Sequence, residues 1–383
     1  MKILFVGFPY SVHVARWVGL ITGIGHEIHL FPSQEFDAVH EDFADLTYWP
    51  ATTDAYAPPE TAAITVRRES GAYRARAAGC QHAEYLARVI DEGGFDIVHS
   101  LEFQHAGYLT LDAMRHLSGS RPCWIATNYG SDIFLYGDRP EHAGRIRELL
   151  ATCDYYSAEC RRDLALAQDF GFKGRHFTVC PNNGGLDVEE LRRYRSATPT
   201  SARRVVALKG YQHFAGRALT ALLAFEACQN ELRGYEIVIF SPFPEVTASA
   251  AALAARTGLT ITCLDEHVPH AEILALHGRA RVSVANSISD GISTSLLEAM
   301  AMGSFPVQSG TACASEWIVH GETGYITDPA SAQDIAQALR LALSDDALVD
   351  SAATLNERRV LARADRNVVR KNVRAAYAQV LVS

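Results

Sequence analysis

The sequence lacks the short patterns that identify several common enzyme classes. No Gly-x-Gly-x-x-Gly follows the first predicted strand at residues 3–6, so the sequence gives no support for nicotinamide binding. A Gly-x-x-x-x-Gly-Lys-Ser/Thr loop and a Gly-x-Ser-x-Gly elbow are also missing, which argues against a P-loop nucleotidase and an α/β-hydrolase. The function therefore has to be inferred from other motifs.

Metal-binding patterns are equally scarce. The chain has no Asp-x-Asp and no Cys-x-x-Cys. His26 and His29 are three residues apart on a predicted strand rather than on a helix, so we do not expect them to ligate zinc. The eight cysteines are scattered, and several, such as Cys180 and Cys263, lie in apolar runs. We expect no bound metal, and reduced structural cysteines, which favours a cytoplasmic location.

Long apolar runs and an excess of positive charge are absent too. Apolar stretches such as residues 219–225 are far shorter than the roughly 20 residues that span a bilayer. The chain opens on a predicted strand rather than on a signal peptide. A net charge of −9 argues against a nucleic-acid partner.

One local concentration of basic residues leaves two interpretations open. It is either a solvated helix face or a surface for phosphate or for a peripheral contact with the inner membrane surface. Its members are Arg67, Arg68, Arg74 and Arg76.

The chain does contain a regular alternation of predicted strands and helices, which is typical of parallel sheets covered by helices. In the first half, helices such as 12–22 and 106–117 alternate with strands, and residues 33–61 are predicted to be irregular. The strands predicted there are residues 3–6, 27–31, 96–99, 123–127, 155–158 and 177–180. A second series follows a segment of linker composition at residues 197–201. Its predicted strands are residues 205–208, 236–240, 260–263, 282–285 and 305–307.

The predicted fold class is therefore α/β, with two doubly wound, Rossmann-like domains that face each other across a cleft. The expected domains are residues 1–195, for an acceptor, and 196–365, for a donor. A basic amphipathic helix at 366–383 is expected to cross back to the first domain. Open α/β sheets bind their ligands at the carboxyl ends of the strands, so we expect the site there.

The most informative segment is residues 289–303, which follows the predicted strand 282–285. It crosses a glycine turn and opens a helix with three hydroxyl residues. Backbone N–H groups, hydroxyl donors and the positive end of a helix dipole would converge there, which predicts a phosphate site. Glu298, one turn further along, could accept hydrogen bonds from vicinal hydroxyls; a capped helix with a surface glutamate is the alternative. The donor-binding residues expected on this segment are Gly291, Ile292, Ser293, Thr294 and Ser295.

This segment resembles the C-terminal signature of the family 4 retaining glycosyltransferases of the GT-B fold, in which seven residues separate two acids. Asp290 matches the first acid, where the family usually has Glu, and Glu298 matches the second. Residues 299–307, 316–318 and 321–325 continue the pattern. The resemblance implies that Glu298 holds the donor ribose and that Asp290 contacts the sugar.

Two cations support the same interpretation. Lys209 ends the predicted strand 205–208, and Arg217 opens the next helix. Together they could grip a diphosphate and stabilise it as a leaving group. The family is similar there, but it has Arg and Lys in the opposite order and a shorter loop than residues 211–216. Two solvated surface cations remain the alternative.

The base of the nucleotide is expected to be recognised through backbone groups of the loop formed by Glu266, His267 and Val268. In the first half, residues 8–17 resemble the family loop that faces the donor phosphates and the acceptor. Tyr10, Ser11 and His13 are therefore assigned to the acceptor side, although His13 could instead cap or pack a helix. Trp17 is expected in the core.

Residues 127–132 resemble the family's His-Gly-x-Asp segment. Tyr129 stands where the family has His, so a role for that side chain in polarising the donor sugar is not carried over. Asn128, Tyr129 and Asp132 are nevertheless assigned to the acceptor side.

The resemblance implies retaining, metal-independent transfer of a sugar from a nucleotide-diphosphate donor, UDP-linked first and GDP-linked next. The acceptor would be a hydroxyl of a glycan, a lipid-linked glycan or a small metabolite, attacking on the face from which the phosphate departs. The residues expected to act in catalysis are Lys209, Arg217, Asp290 and Glu298. Two alternatives stay open: a sugar-nucleotide epimerase of the same architecture, and an inactive sugar-nucleotide-binding protein, which Tyr129 would favour.

Overall fold

The computed structural model describes residues 1–35, 38–51, 63–265 and 267–380, and these form two compact units. The first unit comprises Met1–Gly185 and the C-terminal segment from Val369 onward, and the second is Leu186–Val368. The division comes earlier than the boundary expected near residue 195. The reason is that the segment after Gly185 is held by the second unit: Leu186 N donates to Ala364 O at 2.7 Å.

The first unit contains an eight-stranded, entirely parallel sheet with the strand order β4-β3-β2-β1-β5-β6-β7-β8. Its strands are β1 Lys2–Gly7, β2 Glu27–Pro32, β3 Leu46–Tyr48, β4 Ile64–Val66, β5 Ile97–Leu101, β6 Cys123–Thr127, β7 Tyr155–Ala158 and β8 Arg175–Val179. All six strands predicted for this half are confirmed within a few residues.

The expectation that residues 33–61 are irregular is wrong over Leu46–Tyr48, which pairs with β2 and β4. Each of the two additional strands has only three residues, too few for an alternating pattern to stand out. Residues 36–37 and 52–61 of that segment lie outside the described part of the chain.

The helices of the first unit lie between these strands. They are α1 Val12–Val18, α2 Gly71–Ala77, α3 His82–Gly93, α4 Tyr108–Met114, α5 Ser131–Phe134, α6 Pro140–Thr152 and α7 Arg161–Asp169, and a π-helical turn, Phe103–Gly107, precedes α4. The basic residues predicted to form a patch differ in their surroundings. The guanidinium of Arg76 donates hydrogen bonds to the carbonyl oxygens of Ala51 and Cys80, whereas Arg67, Arg68 and Arg74 are exposed.

The second unit contains a six-stranded parallel sheet with the order β11-β10-β9-β12-β13-β14, which is the Rossmann order 3-2-1-4-5-6. Its strands are β9 Val205–Lys209, β10 Glu236–Phe240, β11 Thr260–Cys263, β12 Val282–Ala285, β13 Phe305–Ser309 and β14 Tyr325–Thr327. The first five agree with the sequence prediction. The strand β14 was missed, again because it has only three residues.

The remaining helices are α8 Val188–Tyr194, α9 Ala218–Ala227, α10 Pro244–Thr257, α11 His270–Arg279, α12 Thr294–Ala301, α13 Ala332–Ser344, α14 Asp346–Ala364 and α15 Arg366–Val380, with short 3₁₀ turns at Thr200–Ala202, Gly310–Ala312 and Ala314–Glu316. Local sequence explains several of their ends. Ser70 caps α2 by accepting from Tyr73 N at 2.9 Å, and Gly94 and Gly258 end α3 and α10 with left-handed φ values of 58° and 71°.

Strand alternation builds a core on both faces of each sheet. In β1, Ile3 and Phe5 join one apolar cluster while Leu4 and Val6 join another. The same alternation in β9 places Val206 and Leu208 in one apolar cluster and Val205 and Ala207 in another. Helices on both faces explain why these strands read as continuous apolar runs rather than alternating ones.

The predicted apolar face of the last helix, α15, is buried in the core of the first unit through Val369, Val373, Ala376 and Tyr377. Burying each large apolar side chain contributes about 1.5–3 kcal/mol. None of the eight cysteines, all of which lie in the described ranges, forms a disulfide. Within the described residues, no helix is long and apolar enough to cross a membrane.

Candidate functional site

The order of the strands in the second sheet reverses between β9 and β12, and the predicted donor residues gather at the carboxyl ends of these two strands. Lys209 is the last residue of β9, and Asn286 follows β12 directly. In an open α/β sheet the crevice at such a reversal is the usual ligand position. The sequence motif and the topology therefore point to the same edge of the sheet.

The loop of residues 211–216 is tied to the segment that follows β12. Ile288 N donates to Ala215 O at 2.8 Å, and Gly216 forms an antiparallel bridge with Ser287. A Cβ atom at Gly216 would lie 2.4 Å from the Tyr211 carbonyl oxygen, so this turn requires glycine. The longer loop that distinguishes this chain is thus an ordered part of the site.

Arg217 is the N-cap residue of α9, and its backbone N donates to Asn286 O at 2.9 Å. Its guanidinium donates to the carbonyl oxygens of Gly216, at 2.6 Å, and His213, at 3.3 Å. The ammonium of Lys209 lies 4.4 Å from the centre of the Tyr211 ring. Among the described residues, neither cation forms an ion pair with a carboxylate. Both positive charges are therefore available to an anionic ligand.

Three of the predicted residues affect the pKa of His213. Burial lowers the pKa of this imidazole, the positive charges of Lys209 and Arg217 lower it further, and Asp290 opposes them. Because these electrostatic effects weaken with distance, the two cations and the first acid lie in one neighbourhood. Asp290 itself accepts a hydrogen bond from Gly291 N at 2.9 Å, which shapes the glycine turn.

Buried polar atoms without partners mark the start of α12. Ser293 is its N-cap residue and is 3% exposed, but its hydroxyl has no hydrogen-bond partner among the described residues. The side-chain oxygen of Asn286 is likewise unpartnered, while its amide donates to Arg217 O and Pro329 O. Buried polar atoms are rarely left unsatisfied, so both are candidates to meet a ligand.

Not all residues expected on the α12 segment are equally accessible. Gly291 and Ile292 are buried beside Ser293, and Thr294 and Ser295 on the first helical turn are half-buried. Leu296 and Leu297 anchor the turn by donating their backbone N–H groups to Ser293 O.

Glu298 is 3% exposed, so the alternative of a surface glutamate on a capped helix is wrong. Its Oε1 lies 2.7 Å from Nε2 of His270, the first residue of α11. Sequence analysis missed His270, and only the residue type offered a signal, since nothing in the local pattern links it to Glu298. The exposed His267 and half-buried Val268 stand three and two residues before it, and Glu266 lies outside the described residues.

A buried histidine lies close to this carboxylate and to Lys209. His277 donates or accepts through Nδ1 with Ser283 Oγ at 3.0 Å, and burial lowers its pKa to about 4. The charges of Glu298 and Lys209 also act on its pKa. His277 is therefore neutral at physiological pH.

In the first unit, three predicted residues follow β1. Ser11 caps α1 by accepting from Val14 N at 3.4 Å, His13 is exposed on the first turn, and Tyr10 is 42% exposed. Burial and the nearby Glu102 raise the pKa of Tyr10. Trp17 is fully buried, which confirms its expected place in the core.

The three residues predicted after β6 have different surroundings. Asn128 is fully buried, and its amide is occupied by Tyr156 OH at 2.8 Å and by Asp163 Oδ2 at 2.9 Å. This arrangement braces the loop and leaves the side chain little capacity for a ligand. The hydroxyl of Tyr129 is buried with no partner among the described residues, and burial raises its pKa well above the usual range.

Asp132 is 6% exposed, and its Oδ2 accepts from Phe103 N at 3.0 Å and Tyr129 N at 3.1 Å. Burial and the adjacent Glu102 raise its pKa to about 7.

Sequence analysis missed a neighbouring pair, Glu102 and His105. Glu102 follows β5 with φ of 82°, which is unusual for a residue other than glycine. Its Oε1 accepts from His105 N at 2.7 Å and Ala106 N at 2.5 Å, and its Oε2 lies 3.3 Å from His105 Nδ1. The Glu-x-x-His spacing of Glu102 and His105 is visible in the sequence, but it belongs to none of the motifs described above.

Comparison with known proteins agrees with this architecture. Residues 251–362, less than half of the chain, match the family model Glycosyl transferases group 1. Sucrose-phosphate synthase from Thermosynechococcus elongatus is similar with a TM-score of 0.73 and 14% identity, over 100% of this chain and 99% of that chain. No curated protein sequence matches the chain.

Two further solved structures are similar over nearly their whole length. Anabaena HepE in complex with UDP and glucose has a TM-score of 0.70 and 14% identity, over 99% of this chain and 100% of that chain. A glycosyltransferase from Rickettsia africae has a TM-score of 0.67 and 15% identity, over 99% and 98%. The chain thus has the α/β fold of the GT-B proteins, built from two Rossmann-like units. The family match over residues 251–362 supports glycosyl transfer as the class of reaction, and the solved structures support the fold.

Proposed function

We propose that this protein is a retaining glycosyltransferase that uses a nucleotide-diphosphate sugar without a metal ion. The observation that carries the proposal is the arrangement at the carboxyl ends of β9 and β12. Two cations with no carboxylate partner in the described part of the chain, Lys209 and Arg217, share a neighbourhood with the acids Asp290 and Glu298. A nucleotide-diphosphate sugar has the complementary pattern of two phosphates between a ribose and a sugar.

The diphosphate is assigned to Lys209, Arg217 and the start of α12. The carbonyl groups that Arg217 now contacts are neutral and weak partners compared with a phosphate, so exchanging them for phosphate oxygens is favourable. Backbone N–H groups at residues 292–295 would add hydrogen bonds, as would the Ser293 hydroxyl, which has no partner among the residues that the structure describes. The protein thereby supplies the positive charge that a divalent cation would otherwise contribute.

The ribose is assigned to Glu298 and the transferred sugar to Asp290. A buried carboxylate held by His270 is fixed in orientation and can accept from two vicinal hydroxyls. The base would lie against the backbone around His267 and Val268. The crystallised neighbour HepE, with UDP and glucose bound, supports UDP as the first nucleotide to test and leaves GDP as the second.

The chemical step follows from where charge develops. As the bond from the sugar to the β-phosphate breaks, negative charge grows on that phosphate, and Lys209 and Arg217 stabilise it more strongly than they do the ground state. Retention would result from attack by the acceptor hydroxyl on the face that the phosphate leaves, with the phosphate taking the proton. On the acceptor side, the candidates are Tyr10, Ser11, His13, Tyr129 and Asp132, and Asn128 braces the loop that carries Tyr129.

The proposal is tested by incubating the protein with UDP-glucose, UDP-N-acetylglucosamine and GDP-mannose, each with and without a mixture of sugar acceptors, and following products by mass spectrometry and NMR. Product of unchanged anomeric configuration that forms only with an acceptor supports the proposal. Conversion of a sugar nucleotide in the absence of acceptor would instead identify an epimerase. Nucleotide binding with no turnover of any of the three donors would favour the inactive binding protein.

Nucleotide binding gives an independent readout. A ligand present at 100 times its dissociation constant adds about 2.7 kcal/mol to the free energy of unfolding. UDP and GDP should therefore raise the melting temperature, and the Arg217→Ala variant should respond less. An unchanged melting temperature with every nucleoside diphosphate would contradict the proposal.

A further inference from the structure

A second polar cluster lies in the first unit, at the carboxyl ends of β1, β5 and β6. The strand order of the first sheet reverses between β1 and β5, so this edge is its expected ligand position. Glu102 follows β5, Asp132 lies on the short helix after β6, and Tyr10 follows β1. Three neighbouring strands thus deliver ionisable side chains to one place.

Glu102 fixes the orientation of His105. With Oε1 held by two backbone N–H groups, Oε2 is directed to His105 Nδ1 at 3.3 Å. The imidazole side chain is 43% exposed, and its Nε2 has no hydrogen-bond partner in the described part of the chain. An imidazole whose inner nitrogen is fixed by a carboxylate presents its outer nitrogen to a substrate hydroxyl in a defined direction.

Aromatic rings stand beside this imidazole. The Phe8 ring centre lies 5.0 Å from that of His105 and 5.5 Å from that of Tyr10. Tyr10 is 42% exposed, so its ring is accessible to a ligand. Apolar ring faces next to hydrogen-bonding groups suit a sugar ring, which has C–H bonds on its faces and hydroxyls at its edge.

The electrostatic balance of the cluster disfavours an anion. Glu102 and Asp132 are the charged groups that raise the pKa of His105, and Glu102 also raises that of Asp132. Arg145, whose positive charge acts on the adjacent Tyr108, is paired with Asp112 at 2.8 Å. An acceptor with a phosphate or carboxylate at this position would meet two carboxyl groups against one imidazole.

We propose that His105, oriented by Glu102 and flanked by Phe8 and Tyr10, binds the acceptor of the reaction, and that this acceptor is an uncharged sugar or polyol at the point of contact. The inference rests on the proposed glycosyltransferase function and deepens it by naming the acceptor class. His105 is the residue that contacts the acceptor, and Glu102 is a positioning residue.

The test measures binding of matched neutral and anionic compounds by saturation-transfer NMR, with the protein alone and saturated with UDP. The probes are glucose, maltose and glycerol, compared with glucose 6-phosphate, glucuronate and glycerol 3-phosphate. The variants are His105→Gln, Glu102→Gln and, as a matched control, His116→Gln, an exposed histidine in the same unit. UDP affinity is measured separately by calorimetry on all four proteins.

We expect the wild type and His116→Gln to bind a neutral sugar, and His105→Gln to bind it about two- to tenfold more weakly, as expected for the loss of one hydrogen bond. Unaltered sugar binding in His105→Gln, tighter binding of the anionic compounds, or no binding of any neutral probe would each overturn the proposal. Failure of the wild type to bind UDP would instead count against the proposed function. The sugar-binding measurement would still test the role of His105, because it does not depend on UDP binding.

The positioning role of Glu102 has its own readout. In Glu102→Gln the pKa of His105, followed by NMR titration, should fall because the carboxylate that raises it is gone. The amide still accepts from the two backbone N–H groups, so the turn should stay folded. An unchanged His105 pKa in a folded variant would show that Glu102 does not orient the imidazole.

Discussion

The Oε1 atom of Glu298 lies 2.7 Å from Nε2 of His270, and this contact joins the buried acid of α12 to the first residue of α11. The pair explains how a carboxylate that is 3% exposed is accommodated beside the proposed ribose position. It also makes the role of Glu298 directly testable.

Replacing Glu298 with Gln should weaken binding of UDP-glucose by about 1.5–3 kcal/mol, because the amide keeps the shape of the side chain but loses the charge-assisted hydrogen bond. Calorimetry measures the affinity. The matched control is Glu272→Gln, an exposed glutamate on α11, which should bind like the wild type. Wild-type affinity in Glu298→Gln would remove this residue from the site.

His270→Gln should reduce donor affinity less than Glu298→Gln does, since His270 orients the carboxylate and is not assigned a ligand contact. The same calorimetric titration decides this. A loss equal to or larger than that of Glu298→Gln would indicate that His270 contacts the nucleotide directly.

Arg217→Ala and Lys209→Ala should each lower kcat by about a hundred- to a thousandfold, the range found when one electrostatic donor is removed from a developing anion. Donor affinity should fall less, because these cations meet their strongest partner only as the bond breaks. Arg217→Lys should recover part of the activity, since an ammonium cannot form the two parallel hydrogen bonds of a guanidinium. Steady-state kinetics measures both parameters.

The control for these cation variants is Arg233→Ala, an exposed arginine in the same unit. Wild-type kcat in all three variants at positions 209 and 217 would mean that these cations are surface residues and that the leaving group is stabilised elsewhere.

Activity should persist in excess EDTA, because Lys209 and Arg217 compensate the charge of the diphosphate. The assay compares initial rates before and after chelation, and then after adding Mg²⁺ or Mn²⁺. Loss of activity on chelation with recovery on adding metal would contradict metal independence.

The pKa of Asp132, raised to about 7, has a consequence for stability. The folded protein binds this proton more tightly than the unfolded chain does, so protonated Asp132 stabilises the fold below about pH 4. This contribution to the free energy of unfolding is lost as the pH rises towards 7. The loss is at most about 1.4 kcal/mol per pH unit. The free energy of unfolding of Asp132→Asn, measured relative to that of the wild type, should therefore be higher at pH 8 than at pH 5.

Urea unfolding at these two pH values measures the difference for Asp132→Asn. The matched control is Asp138→Asn, an exposed residue in the same loop region, which should show no such shift. An identical pH dependence of the wild type and Asp132→Asn would show that Asp132 is ionised like an ordinary surface aspartate.

Tyr377→Phe should destabilise the first unit by about 1–3 kcal/mol. The Tyr377 hydroxyl lies 2.6 Å from Nδ1 of the fully buried His99, which would lose this partner. Unfolding by urea, followed by fluorescence, measures the change, with Tyr235→Phe in the second unit as the control. Equal effects of the two substitutions would show that the contact of α15 with His99 contributes nothing specific.

The sequence predicted the second unit well because its information is local. The strands β9 and β10 are nearly continuous apolar runs, and the residues 289–303 carry a glycine turn, a helix start and an acid within a few turns of chain. The three-residue strands β3, β4 and β14 escaped prediction because such short segments have no period of their own and form by pairing with a neighbour.

The sequence alone determined the two α/β units, the buried face of the last helix and the candidate donor motif with Asp290 and Glu298. Tertiary structure alone decided which residues accompany them. His270 meets Glu298 from 28 residues away, and Asp132 accepts from the backbone of Phe103 across 29 residues. Such contacts leave no periodic trace, because a parallel sheet aligns the carboxyl ends of strands that are distant in the chain, and only the order of the strands decides which ends become neighbours.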